Sequence, residues 1–62
     1  MKTIKTQKFG NNVKWEAKEG NKFVSIFNLH SNLSPTKILK KKYFELVESG
    51  ESLEQIFCDY GN

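Results

Sequence analysis

The dipeptide Gly-Asn occurs twice, at Gly10-Asn11 and Gly20-Asn21, and each copy parts two stretches with strand character. Gly accepts the positive φ that a type II′ turn needs at its first central position, so each copy predicts a two-residue hairpin loop. Two such corners in close succession predict a three-stranded antiparallel meander. The second strand is the clearest: Val13, Trp15 and Ala17 alternate with Lys14, Glu16 and Lys18, the two-residue repeat of a strand with one buried side. The third, KFVSIFNL, is rich in β-branched and aromatic residues. The first, Lys2 to Lys8, has only Ile4 as an apolar residue and reads as an edge guarded by lysines.

The corners also predict a register. Ala17 faces Val24, Trp15 faces Ile26 and Lys14 faces Phe27, while Phe9 faces Asn12, Thr6 faces Trp15 and Ile4 faces Ala17. That pairing sorts Ile4, Val13, Trp15, Ala17, Val24 and Ile26 onto one face. Phe9, Phe23 and Phe27 fall on the other, among Lys5, Lys14 and Lys18. A slip of one residue would exchange the faces.

After the loop LHSNL the period changes. Ser34 suits a helix cap, Pro35 the first helical position, and Gly50 the left-handed residue that closes the last turn, which predicts a helix over residues 34–50. Leu39, Tyr43, Leu46 and Val47 share its apolar stripe. A second, short helix starts at Ser52, whose spacing to Gln55 matches a capping box, and runs to Gly61 with Leu53, Ile56, Phe57 and Tyr60 on one side. The expected fold is therefore α+β, one small domain over residues 1–62, with a β-β-β-α-α order in two layers.

A chain of 62 residues buries only about 60% of the surface its unfolded form exposes, so its core is thin and a deep substrate pocket is not expected. Cys58 is the one cysteine and His30 the one histidine, which excludes a disulfide framework and a cysteine-based zinc site. Cys58 reads as a half-buried small hydrophobe beside the second helix's stripe, and His30 as a solvated loop residue. The residues hold no phosphate loop, paired-carboxylate pattern or metal-ligand spacing, so neither an enzyme nor a cofactor is expected. The basic start is followed by no apolar run, which predicts neither signal peptide nor membrane span and makes the cytoplasm the expected location.

Charge is unevenly spread. Residues 1–42 hold ten lysines against Glu16 and Glu19, a net of +8, and residues 43–62 hold five acids and no base, a net of −5. Without arginine the chain lacks the planar fork that clamps phosphate or reads guanine, so any nucleic-acid contact would be to backbone phosphate. Three constellations are candidate contacts. Lys40, Lys41 and Lys42 form a collar around the first helix. Phe9, Phe23 and Phe27 with Lys14 and Lys18 form a basic aromatic sheet face. Glu48, Glu51 and Glu54 mark the acidic end. Solvated lysines, and phenylalanines covered by the second helix, are the ordinary alternatives.

The tract FVSIFNL, followed by a helix, Gly50 and ESLEQIFCDY, resembles the strand and helices of ribbon-helix-helix DNA-binding proteins over residues 23–60. It departs from them in its long Leu29–Ser34 loop, its short second helix and a strand without basic side chains. The Val13–Lys18 strand also takes the place of that family's partner strand, so membership is not assigned. The expectation is a non-catalytic binding protein, a regulator or inhibitor of the kind phages and mobile elements encode, that occupies the surface of a nucleic-acid-handling protein. Nonspecific binding of DNA or RNA by the lysine-rich sheet is the alternative.

Overall fold

The structure, a computed structural model, describes residues 1–61. It is α+β, as the periodicities imply, but with four strands: β1 (Lys2–Phe9), β2 (Asn12–Glu19), β3 (Phe23–Asn28), β4 (Thr36–Leu39), then α1 (Lys40–Glu48) and α2 (Leu53–Tyr60). The sheet is an antiparallel meander in the order β1-β2-β3-β4.

The fourth strand replaces the start of the expected helix. Thr36 and Ile38 are buried while Lys37 and Leu39, the residues that follow each, are exposed, an alternation that a helix cannot produce. A helix begun at Ser34 would have left the free edge of β3 unpaired. The strand instead sets Val24 against Ile38 and Ile26 against Thr36. Ladder pairing plus burial of Ile38 outweighs a serine cap worth about 1 kcal/mol. Helix α1 therefore begins only at Lys40, with Leu39 as its N-cap residue and no side-chain cap. Leu39, expected on the helix stripe, is exposed, whereas Tyr43 is buried and Leu46 and Val47 pack against the core.

The two corners behave differently. Gly10 has φ 69° and Phe9 faces Asn12, the expected two-residue turn. Gly20 does not take a positive φ; its N–H donates to the Phe23 carbonyl (2.8 Å), and Glu19 faces Val24 across a wider loop. The resulting pairing, with Ala17 opposite Ile26, is displaced by two residues from the expected one, and a shift of two leaves every side chain on its face. Between β1 and β2 the register shifts twice, with Lys14 and then Ile4 as the extra residue. Gln7, not Thr6, consequently faces Trp15, and Lys5, not Ile4, faces Ala17.

The core is one cluster: Trp15, Ala17, Val24, Ile26, Ile38, Tyr43, Leu53 and Ile56, with Ile4, Leu46, Val47 and Phe57 packed around it. Val13 stands opposite Lys8 and is only half-buried. Both helices contribute to this one cluster, so both lie over the same face of the sheet. Their junction is built as its residues suggest. Gly50, at φ 93°, donates to the Val47 carbonyl and Glu51 donates to that of Leu46, each at 3.0 Å, the paired bonds of a Schellman ending. Ser52 Oγ accepts from the Gln55 amide, but the Gln55 side chain turns to Asp59 instead of completing the box. Gln7 of the edge strand caps the same end at other amides, its Oε1 accepting from those of Leu53 (2.7 Å) and Glu54 (3.3 Å).

Two outcomes follow from this packing. Replacing Gln7 by Leu leaves two helix-end amides without their acceptor and lowers stability by about 1–2 kcal/mol. Denaturant unfolding measures the loss, and amide exchange at Leu53 and Glu54 accelerates; unchanged exchange would remove Gln7 from this role. Tyr43 titrates in the opposite sense to a paired carboxylate. Burial raises its phenol above the usual 10.0, so above that pH the unfolded chain loses its proton first and stability falls. Tyr43→Phe removes that component, flattening the alkaline limb of the stability curve relative to the parent.

Candidate functional site: the uncovered sheet face

With α1 and α2 on one side, the opposite face of the sheet carries no helix. Its layout follows from the register. Along β3 the outward residues are Phe23, Ser25 and Phe27. Across the strands Phe23 faces Leu39, Ser25 lies between Lys18 and Lys37, and Phe27 faces Glu16. Phe23 is 44% and Leu39 57% exposed, and together they make an apolar pair at the β4 side. On the β2 side, Thr3 Oγ1 donates to Glu16 Oε2 (2.8 Å) and Lys18 Nζ lies 3.8 Å from Glu16 Oε1. The same ammonium stands 5.5 Å from the Phe27 ring centre, close enough for a cation–π contact.

The expected basic aromatic face is thus assembled in part. Phe23, Phe27 and Lys18 share it. Phe9 and Lys14 leave it, because the bulge at Lys14 reverses the alternation beyond it: the Lys14 ammonium lies 4.7 Å from the Phe9 ring centre and 4.5 Å from that of Trp15. Phe9 is exposed on Trp15's side. Lys5, opposite Ala17, leaves as well. In their place come Lys37 and Leu39, which the helical reading of Ser34–Leu39 had hidden. The alternation of Thr36 and Ile38 with Lys37 was the signal in the sequence that could have located them.

The remaining candidates fall elsewhere. Lys40 is drawn from the collar to Glu19, at 3.6 Å, while Lys41 and Lys42 are exposed. Glu48 ends α1, Glu51 lies half-buried in the turn and Glu54 is exposed in the first turn of α2, so the acidic set sits on the helix side. Among the described residues the ion pairs are Lys18–Glu16 and Lys40–Glu19, and no lysine lies within ion-pair distance of the five acids between Glu45 and Asp59. Cys58 is exposed and not half-buried, since it points away from the side of α2 that buries Leu53 and Ile56. His30 is exposed and its backbone N–H donates to Asn28 Oδ1. No group of three metal-ligating side chains occurs among the described residues, and no helix there is long and apolar enough to cross a membrane.

Two depressions mark the surface. One, of about 430 Å³, lies between the β3–β4 loop and the end of α2, lined by Leu33, Pro35, Thr36, Phe57, Tyr60 and Gly61 among others. The second, of about 340 Å³, lies on the uncovered sheet face over Phe23, Ser25, Lys22 and Lys37. Each is lined by a buried hydroxyl without a hydrogen-bond partner among the described residues, Thr36 Oγ1 in the first and Ser25 Oγ in the second. Compared with protein-family models, curated proteins and solved structures, the chain finds no match.

If Phe23 and Leu39 serve contact and not folding, their loss is cheap. Phe23→Ser and Leu39→Ser each change stability by about 1 kcal/mol or less, whereas Ile26→Ala, in the buried face, costs about 2–5 kcal/mol. Urea denaturation of the three variants reads the contrast directly.

Proposed function

We propose that this protein is a non-catalytic binding protein, a regulator or inhibitor that acts by covering part of a partner protein's surface with the outer face of its sheet. The observation that carries the reading is the placement of both helices on one side, which leaves Phe23, Leu39 and Phe27 facing outward. Contiguous exposed apolar surface rimmed by charge marks protein contacts. Direct binding of DNA or RNA draws less support from the same geometry. Lys18 already occupies the neighbourhood of the Phe27 ring, Lys14 that of Phe9, and Glu16 places a carboxylate among the lysines. Bases stack on free rings.

A second reading has its own observation. Among the described residues, the carboxylates of Glu45, Glu48, Glu51, Glu54 and Asp59 have no lysine within ion-pair distance. An anionic surface of that kind suits a basic groove, such as that of a nucleic-acid-handling protein.

Site-specific photo-crosslinking in cells that encode the protein tests both. A benzophenone amino acid at Leu39 is expected to give one discrete protein adduct, lost on adding Phe23→Ser, while the same group at Glu54 gives none. Adducts from Glu54 alone would transfer the contact to the acidic side. Adducts from Leu39 that disappear on nuclease treatment would make nucleic acid the ligand.

A further inference from the structure

The middle of the uncovered face is built in a way that apolar contact does not require. Ser25 is 1% exposed, and its Oγ has no hydrogen-bond partner among the described residues. A buried hydroxyl left unpaired costs about 1–3 kcal/mol. In the register it is flanked by Lys18 and Lys37 across the strands, and by Phe23 and Phe27 along its own strand. It lines the depression of about 340 Å³ that Phe23, Lys22 and Lys37 also border. No carboxylate of the described residues lies within ion-pair distance of Lys22 or Lys37. A donor without an acceptor, beside cations without an anion, lacks one chemical group.

We infer that Ser25, Lys22 and Lys37, which line this depression, form a carboxylate-binding site that anchors an aspartate or glutamate side chain of the partner protein, whose adjoining apolar residues rest on Phe23 and Leu39. The inference rests on the reading of this face as a protein contact and specifies its chemistry. The Ser25 hydroxyl is closed to a water-sized atom, so binding requires the side chains over it to swing aside; the carboxylate then accepts from that hydroxyl and from the Lys37 ammonium, both charge-assisted bonds. A single negative charge matches the place better than a phosphate. Glu16, 3.8 Å from Lys18, offsets part of the positive charge and repels a dianion, and lysines present point charges where phosphate sites favour the arginine fork. The apolar pair at Phe23 and Leu39 also calls for apolar company, which the flanking residues of a peptide supply.

The test uses the isolated protein and small probes, so that its failure is distinguishable from failure of the cross-linking experiment above. Amide resonances of labelled protein are followed while acetyl-Leu-Glu-Leu-amide is added, then its glutamine and phosphoserine counterparts, then inorganic phosphate. The glutamate peptide is expected to shift Ser25, Lys22 and Lys37 saturably, and the glutamine peptide to bind at least about tenfold more weakly, the loss of a charged hydrogen bond. Ser25→Ala, which removes a hydroxyl unpartnered in the fold, raises the melting temperature and yet weakens the glutamate peptide about fivefold. No saturable shift, equal affinity for the glutamine peptide, undiminished affinity in Ser25→Ala, or tighter binding of phosphate or the phosphoserine peptide would each overturn the site. Adducts at Leu39 with no carboxylate preference would leave the protein contact standing and remove only its anchor.

Discussion

The pairing of β4 with β3 decides the rest of the molecule. It makes β3 an interior strand, with Val24 and Ile26 fully buried, and it spends Thr36 to Leu39 on the sheet. The helices that remain have nine and eight residues. At 1.5 Å per residue neither exceeds roughly 14 Å, and joined by a short turn they shelter one side of a four-stranded sheet, not two. Among the described residues, the bare face is thus a consequence of two short helices packing together on one side.

That economy explains how the weakest strand is retained. Ile4 and the exposed Phe9 are the apolar residues of β1, and each of the two register shifts in its pairing with β2 solves a packing problem. One places Ile4 against the core although Lys5 occupies the position opposite Ala17. The other brings Gln7 opposite Trp15, from where its side chain reaches the first turn of α2. Edge strand and last helix, far apart in the chain, hold each other through a single amide oxygen. The lysines of β1 and its bulge at Ile4 also make that edge a poor template for another chain.

Much of this was legible where the cause is local. The turn at Gly10-Asn11, the left-handed Gly50, the Ser52 cap and the alternation of Val13 to Lys18 each depend on the residues that carry them. What was not legible depends on partners. The widened loop at Gly20 escaped notice, but a displacement of two residues keeps parity, so Trp15 and Phe27 still fall on opposite faces. The bulge at Lys14 does not keep parity, and it alone removes Phe9 and Lys14 from the outer face. Ser34-Pro35 is an equally good start for a helix or entry to a strand, and only the unsatisfied edge of β3 chooses between them. The candidate site was therefore legible through Phe23, Phe27 and Lys18, and hidden at Leu39, Lys37 and Ser25.

Ser25 has a simpler role to be weighed as well. Between Phe23 and Phe27, with Val24 and Ile26 on the other side, an apolar residue here would make β3 apolar on both faces, the composition of an aggregating strand. That need accounts for a polar residue at this position. It does not account for burial, since Lys or Thr with its polar group in solvent would break the run equally well. Nor does it account for the lysines on either side, when apolar neighbours would pack more closely over a hidden hydroxyl. Protection from aggregation explains why the residue is polar; a desolvated donor beside Lys22 and Lys37, which have no ion-pair partner among the described residues, is the arrangement of a surface prepared for an anion.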